Sequence, residues 1–350
     1  MRTRRLLLYL TLALLSQPGF CAVRPSFRLD LSAWRATDIV VVTSTPDDGV
    51  FEVAESWKGE LAVGEKVTLP ELRPDRHAPP ISKYPKSESD MLQTGVSEQI
   101  PRQPAGARMI LFLVGPGVSK TWKPSDLMSS MKASVLWMDH GQIFSFGQLF
   151  NPGPSVLHLS RLSEGEVRSR VAEIRGTQER AKSALAVLDG AERAERLRVF
   201  VNSNIPPART FALEELGKCG PTATRAISGM LDDPAFADES PELIKALADA
   251  GGSATGPEMH RRLQQELTFW KSMAPSLAPD WWNQNPSIHV PLWQHYGQTH
   301  QLILGLKQIN YLTSLSTVVE LRDLWQSSRS LSDGKQLIEE CNEWIAHPRD

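Results

Sequence analysis

The chain is poor in the features that most readily reveal a function. It has three cysteines in 350 residues, 38 basic against 40 acidic residues, and a net charge of −2. So few cysteines exclude a disulfide-dense scaffold. The balanced charge lacks the basic excess typical of nucleic-acid-binding proteins, so we expect no nucleic-acid partner. No apolar run reaches the ~20 residues of a membrane-spanning helix, so we expect no transmembrane segment in the mature chain.

Motifs that carry chemistry are also missing. The chain has no G-x-S-x-G elbow and no G-x-G-x-x-G loop, and the glycines of 115–120 lack the spacing of a phosphate-binding loop. His289, His295 and His300 lack the i, i+4 spacing of a helical zinc pair. We therefore predict no catalytic residue, no metal and no cofactor. An enzyme stays open, because a sequence does not show which Asp, Glu and Ser side chains meet in space.

The first 22 residues have the organisation of a secretory signal peptide. A basic start precedes ten mostly apolar residues, helix breakers and small residues: Arg2, Arg4, Arg5, 6–15, 16–19, Cys21 and Ala22. Ten residues at about 1.5 Å each cover half of the ~30 Å hydrocarbon core, which argues against a transmembrane anchor. Lipidation of Cys21 is the alternative, and the bulky Phe20 before it disfavours that form. We expect a periplasmic or secreted protein.

The next part of the chain, 27–150, is predicted to form a small β-sandwich or β-barrel. Short segments in it combine β-branched or alternating residues with flanking turn signals: 38–43, 50–57, 66–72, 108–114 and the hairpin 134–147. The segment RMILFLV at 108–114 is apolar enough for a central strand. Together with the helical part described below, this predicts an α+β protein.

The order of these segments resembles that of exported bacterial proteins with an OB-like, netrin-type barrel. The resemblance covers about residues 30–150 and rests on short patterns: DIVV at 38–41, the turn 57–59 (WKG), the glycine loop 64–67 and ILFL at 110–113. It implies a closed barrel. Some barrels of this type inhibit proteases through a free N-terminal cysteine, which here requires cleavage directly before Cys21.

A long insertion separates two of the predicted strands. Residues 73–107 contain repeated prolines and show no hydrophobic periodicity. Loops of this length are uncommon in compact domains and are either functional or mobile. We interpret it as a surface insertion, since neither aromatic residues nor clustered ligand residues distinguish it.

Residues 155–350 are predicted to be helical. The capping box Ser163-x-x-Glu166 begins a helix of about 25 residues. Its apolar stripe follows helical spacing: Val167, Val171, Ile174, Ala181, Leu185 and Leu188. Packing against its own domain is the common fate of such a stripe.

A weak repeat follows this helix. The block 212–217 (ALEELG) matches 246–251 (ALADAG) at an offset of 34, and a second helix follows each block, at 222–231 and 257–267. The arrangement resembles HEAT-like repeats, which stack helix pairs into a solenoid. Because about three repeats usually bury a continuous core, two copies leave unrelated helical hairpins open.

The last part of the chain departs from this repeat and is rich in tryptophan. Two further helices are predicted at 299–327 and 332–346. The aromatic residues before them form the candidate binding surface: Trp270, Trp281, Trp282, Trp293, His295 and Tyr296. We favour a core that caps the helical stack, since most buried aromatics are structural. A sugar- or peptide-binding cleft is the alternative.

Two cysteines remain beyond the predicted signal peptide. Cys341 lies on the apolar face of the last predicted helix, which predicts a buried thiol. Cys219 lies in a Lys-Cys-Gly turn. A disulfide between them stays open, because sequence separation does not fix their distance.

Two functions of different classes follow. The first is a non-enzymatic scaffold or interaction module of the cell envelope, which binds another envelope protein through the helical half. The alternative is an exported glycan- or peptide-binding enzyme that uses the Trp-rich cleft. In that enzyme, His295 and a carboxylate such as Glu266 or Asp280 are the acid and base candidates. The oligomeric state stays open.

Overall fold

A computed structural model describes residues 24–25, 27–75, 77–78, 80–81, 99–102, 104–115, 122–125, 131–148, 155–160, 162–278, 281, 290–328, 330–331 and 334–348. The fold is mixed α+β, as predicted, with an antiparallel sheet followed by helices. The chain divides into two compact units, Met1–Thr177 and Gln178–Asp350, which we call the sheet unit and the helical unit. The predicted signal peptide, Asp280, Trp282 and His289 lie outside the described residues.

The sheet unit is built on nine described strands in the order β1-β8-β7-β5-β2-β3-β4, with β6 beside β5 and β9 beside β8. The predicted strands 38–43, 50–57 and 108–114 are confirmed as β2, β3 and β5. The strands are β1 Arg24–Pro25, β2 Asp38–Ser44, β3 Val50–Lys58, β4 Lys66–Thr68, β5 Arg108–Val114, β6 Lys123–Pro124, β7 Val135–Asp139, β8 Gln142–Gln148 and β9 Ser155–Leu159.

The sheet is open among the described residues, so the structure does not support the predicted barrel. Its terminal strands, β1 and β4, do not pair with each other within the described residues. β4 has only three residues because Pro70, which lacks a backbone N–H, directs the chain into the 3-10 turn Pro70–Leu72. Barrel closure needs continuous pairing between the two ends of the sheet, and these short edges do not provide it.

The sheet continues past residue 150. Ser155 pairs with Gln148 and Leu159 pairs with Phe144, so β9 adds a strand antiparallel to β8. Residues from 155 onward are predicted to belong to the helical part, and the structure places 155–159 in the sheet. Five residues after a proline- and glycine-containing turn give too short a pattern to distinguish strand from helix start.

The central strands of the sheet are buried on both faces. Val40 and Val42 on β2 belong to one apolar cluster together with Leu111 of β5 and Phe144 of β8. Ile39 and Val41 on the other face are also fully buried. Phe27 packs against Phe112 of β5 on that second face, with ring centroids 5.0 Å apart. Burial on both faces explains why β2 and β5 are nearly continuous apolar runs.

The predicted hairpin 134–147 is confirmed. β7 and β8 pair with Asp139 opposite Gln142, and the two residues between them are His140 and Gly141. Both have positive φ, 47° and 79°. That combination is the type I′ turn favoured in two-residue hairpins, and glycine at the second position adopts it without a steric penalty.

Both ends of the Pro-rich insertion are ordered against the sheet unit. Pro80 forms a parallel bridge with Arg102, and the backbone N–H of Ile100 donates to Asp75 Oδ2 at 2.8 Å. Ala78 and Ile81 are buried. The insertion therefore contributes side chains to the core at its N-terminal end, while residues 82–98 lie outside the described part.

The helices are α1 Leu29–Arg35, α2 Glu164–Leu185, α3 Gly190–Val201, α4 Pro206–Gly217, α5 Thr224–Leu231, α6 Ser240–Gly251, α7 Gly256–Met273, α8 Val290–Gln308, α9 Leu315–Ser327 and α10 Lys335–Ala346. The capping box that begins α2 is confirmed: the backbone N–H of Ser163 donates to Glu166 Oε2 at 2.7 Å, and the N–H of Glu166 lies 3.3 Å from Ser163 Oγ. The stripe is shorter than predicted, because α2 ends at Leu185 and Leu188 is 94% exposed.

The described residues of the helical unit form three helix pairs of one design. In each pair the first helix is followed by a residue with positive φ, a 3-10 turn and the second helix. The residue with positive φ is Gly220 between α4 and α5, Gly252 between α6 and α7, and Asn310 between α8 and α9. The predicted single helix 299–327 is therefore wrong, because it is interrupted at Asn310. The repeat block did not predict the third pair, because α8 ends without the Ala-Leu-x-x-x-Gly pattern of 212–217 and 246–251. Asparagine, which tolerates the left-handed region, also stands where the other pairs have glycine.

The first helices of the three pairs lie side by side. α4 packs on α6 and α6 packs on α8, while α3 packs on α4 at one end and α10 packs on α9 at the other. Glycines allow the close approach: a Cβ on Gly217 would lie 3.0 Å from Asp249 Cβ, and one on Gly297 would lie 3.1 Å from Pro241 Cγ. Three stacked pairs reach the number that usually buries a continuous core.

Candidate functional site

The first two tryptophans of the candidate binding surface lie in the core. Trp270 and Trp281 are fully buried, with ring centroids 6.4 Å apart. Trp270 Nε1 donates to Thr299 Oγ1 at 2.9 Å, and Trp281 Nε1 donates to the backbone oxygen of Ser330 at 2.8 Å. Trp325 packs on Trp270 edge-on at 5.0 Å. Since neither indole reaches the surface, these residues support the capping-core interpretation rather than a cleft.

The remaining described aromatics of the candidate surface are half-buried on α8. The Trp293 ring lies 5.5 Å from that of Trp281 and 6.0 Å from that of Tyr296. Tyr296 also packs against Trp325 at 5.7 Å, and its burial raises the pKa of the Tyr296 hydroxyl. The aromatic cluster thus continues from the core to the half-buried face of α8.

His295 and Glu266 form the one predicted acid–base pair that the structure brings together. His295 Nδ1 lies 3.0 Å and 3.1 Å from the two carboxylate oxygens of Glu266. The Glu266 side chain is 9% exposed and that of His295 is 32% exposed. Because an ionised carboxylate only accepts hydrogen bonds, Nδ1 is the donor and Nε2 is left to face other groups.

Neighbouring side chains fix this pair in position. The Thr299 hydroxyl lies 3.1 Å from Glu266 Oε2 and accepts the hydrogen bond from Trp270 Nε1. The His295 ring stacks on Phe269 at a centroid distance of 3.5 Å. In the part of the chain that the structure describes, no hydrogen bond from His295 Nε2 is recorded, so the pair has no nucleophile assigned to it.

The histidines do not form a metal centre among the described residues. No group of three or more His, Cys, Asp and Glu side chains in that part is placed to hold a metal ion. His300 stacks on Tyr296 at 6.2 Å, and burial lowers the pKa of His300. A half-buried imidazole against aromatic rings is packed as a core residue rather than offered as a ligand.

A groove between α4 and α6 encloses about 460 Å³. Sequence reasoning missed it. Its lining comes from α4, from α6 and from the turn before α6: Arg209, Thr210, Leu213, Glu214, Asp238, Glu239, Glu242, Lys245, Ala246 and Asp249. A volume of this size falls within the range of about 300–1,000 Å³ typical of ligand sites. The spacing of Glu242, Lys245, Ala246 and Asp249 along one helix face was the available signal.

Both cations of the groove already have acidic partners. Arg209 Nη1 donates to Glu239 Oε1 at 2.5 Å and Lys245 Nζ donates to Asp249 Oδ2 at 2.8 Å. Burial of Glu239 raises its pKa even though Arg209 opposes the shift. For Asp249, burial is outweighed by hydrogen bonds from Lys245 and Gln308, so its pKa is lowered.

The other carboxylates of the groove are less engaged. Asp238 Oδ1 accepts a hydrogen bond from Gln294 of α8. Glu214 on α4 and Glu242 on α6 are exposed and make no recorded ion pair within the described residues. With five carboxylates against two cations in its lining, the groove therefore carries net negative charge.

The two cysteines of the described chain are free thiols. Cys219 and Cys341 are both buried and are not joined by a disulfide. Cys219 Sγ donates to the backbone oxygen of Glu215 at 3.3 Å. Burial raises the pKa of Cys219, and it raises the pKa of Cys341 to about 12. Both are therefore unreactive at neutral pH, and the buried thiol predicted for Cys341 is confirmed.

None of the described helices combines the length and the apolar character that a membrane span requires. Comparison of the chain with protein-family models, with curated proteins and with solved structures gives no match. The OB-like and HEAT-like resemblances thus rest on the sequence patterns alone.

Proposed function

We propose that this is an exported, non-enzymatic protein whose HEAT-like helical unit binds another protein of the cell envelope. Export rests on the signal-peptide pattern of the first 22 residues. Binding rests on the three stacked helix pairs, because side-by-side first helices offer a partner an extended surface.

The single observation that carries this proposal is the groove between α4 and α6. It is formed by two neighbouring first helices, and none of its lining residues belongs to the buried aromatic cluster on α7 and α8. Gln294 and Gln308 of α8 donate to Asp238 and Asp249 of the groove, so the polar surface continues onto the third first helix. Polar side chains distributed over three adjacent helices suit a polypeptide partner better than a small molecule.

Site-specific photo-crosslinking of the whole chain in its host tests this proposal. A photoreactive residue replaces Thr210, which is exposed in the groove, or Gln265, which is exposed on the second helix α7. We expect a defined envelope protein to be crosslinked from position 210 and not from position 265. Equal crosslinking from both positions, or none from position 210, would contradict the proposal.

A second candidate is an exported hydrolase that uses His295. The observation in its favour is the buried Glu266 carboxylate, which holds Nδ1 of a half-exposed imidazole. Its test is a screen of the whole chain against glycan and peptide substrates, followed by His295→Gln. A turnover that the substitution lowers at least about a hundredfold supports an enzyme, since general acid–base groups contribute that much.

A further inference from the structure

We propose that the groove between α4 and α6 holds a lysine or arginine side chain of the partner polypeptide. This inference rests on the proposed function and specifies the chemistry of the partner at that site. It combines the shape of the groove, its apolar lining and the charges that its own residues leave uncompensated.

The groove has an apolar component next to its charges. Leu213 on α4 and Ala246 on α6 line it, and both are at least nine-tenths buried. Lysine and arginine have aliphatic stems that pack on apolar surface while their cationic heads stay polar. An apolar lining flanked by carboxylates matches both parts of such a side chain.

The charges of the groove exclude an anionic occupant. Five carboxylates and two cations line it. Each cation already faces a carboxylate, because Arg209 donates to Glu239 and Lys245 donates to Asp249. An anion would therefore meet Glu214 and Glu242 as well as two cations that are already paired.

A cation in the groove is attracted by carboxylates of both walls. Glu214 lies on α4 and Glu242 lies on α6, and both line the groove. Charge-assisted hydrogen bonds of this kind are about twice as strong as neutral ones. A metal ion is the weaker candidate, because no described cluster has the geometry to hold one.

The test measures binding of labelled peptides to the whole chain by fluorescence anisotropy. The probe is a peptide of alternating arginine and glycine, and the control peptide has aspartate in place of each arginine. We expect the basic peptide to bind, to be weakened by added salt, and to bind about tenfold more weakly to the double variant Glu214→Gln, Glu242→Gln. The matched control Glu195→Gln removes an exposed carboxylate of α3 that lies outside the groove and should leave affinity unchanged.

Three results would overturn the inference: equal binding of the two peptides, unchanged affinity of the double variant, or competition by free arginine as strong as competition by the peptide. Circular dichroism confirms that the variants are folded. The proposed function is tested separately, by crosslinking at position 210. If the double variant still crosslinks the envelope partner with unchanged yield, the interaction stands and only the basic-side-chain assignment falls.

Discussion

The two units of the chain differ in how they satisfy the polar groups of their cores. In the sheet unit, the central strands bury apolar residues on both faces, and the buried carboxylate of Asp38 at the start of β2 accepts hydrogen bonds from the backbone N–H groups of Glu60 and Leu61. In the helical unit, Glu266 and Thr299 are buried beside aromatic side chains, with Glu266 bonded to the His295 ring and Thr299 to Trp270. A buried polar group destabilises unless its hydrogen bonds are complete, so the aromatic core of the helical unit depends on side-chain partners where Asp38 of the sheet unit depends on backbone donors.

Ion pairs within the sheet unit connect the start of α2 to the sheet. Arg108 Nη2 lies 2.9 Å from Glu55 and 3.1 Å from Glu164, and Arg168 reaches Glu55 while stacking over Trp57 at 4.9 Å. A hydrogen bond from Trp57 and the two arginines lower the pKa of Glu55. Because these groups are one-quarter to one-half exposed, each contributes modestly on its own.

The largest expected contrast comes from tryptophans of the two units. Trp270→Ala removes a fully buried indole and should lower the free energy of unfolding of the helical unit by about 3–5 kcal/mol. Trp57→Ala removes a partly exposed ring and should cost less than half as much. Urea unfolding of each variant, followed by hydrogen exchange of both units, measures the difference. Equal losses of unfolding free energy in the two variants would contradict the contrast between a buried and a partly exposed tryptophan.

A second test concerns the close approach within the helical stack. A Cβ on Gly256 would lie 2.2 Å from the Tyr311 ring, so Gly256→Ala should destabilise the helical unit by about 1–3 kcal/mol or more. The matched control is Gly229→Ala in α5, where no atom lies within 4 Å. This control should be neutral or stabilising by up to about 1 kcal/mol, because alanine favours helix over glycine. Thermal unfolding reports both, and a destabilised control would argue against packing as the cause.

A third test removes a hydroxyl from each unit with little change of shape. Thr299→Val deprives Trp270 Nε1 of its acceptor and Glu266 of a neighbouring hydroxyl, so we expect a loss of about 1–3 kcal/mol. Thr43→Val on β2 removes only a 3.5 Å contact with a backbone oxygen and should change stability by less than about 0.5 kcal/mol. Urea midpoints at constant m-value decide between them.

The smallest expected effects are in the pH dependence of stability, and the two units should lose stability over different pH ranges. Burial lowers the pKa of His300 below its ordinary 6.5 while Glu340 opposes the shift. The unfolded chain therefore binds the proton more readily, and the helical unit should lose stability as the pH falls below about 6.5. The pKa of Glu55 is lowered from about 4.5, so the sheet unit should lose stability only as the pH falls below that value. Hydrogen exchange over this range measures both, and His300→Phe should abolish the upper transition.

Local patterns predicted much of this structure where a segment decides its own conformation. RMILFLV became β5 with unchanged bounds, and the capping box of Ser163 and Glu166 begins α2. Predictions failed where distant residues decide. Closure of the barrel depends on how two edges meet, and the short helix α3 after Asp189 was not predicted at all.

The candidate site shows the same limit. Sequence proximity to aromatics drew attention to His295, and the structure places Glu266 beside it. The groove was missed because its walls, Arg209–Glu214 and Glu239–Asp249, come together only when α4 packs on α6. Charged residues on one helix face are typical of a solvated surface and also of a groove wall. Only the position of the second helix distinguishes the two.

The most direct test of the central claim is hydrogen exchange of the whole chain, free and bound to the envelope protein captured at position 210. The account predicts slowed exchange in α4 and α6, with unchanged exchange in β2, β3 and β5. Protection confined to the strands, or to the second helices α5, α7 and α9, would contradict the claim that the first helices form the binding surface.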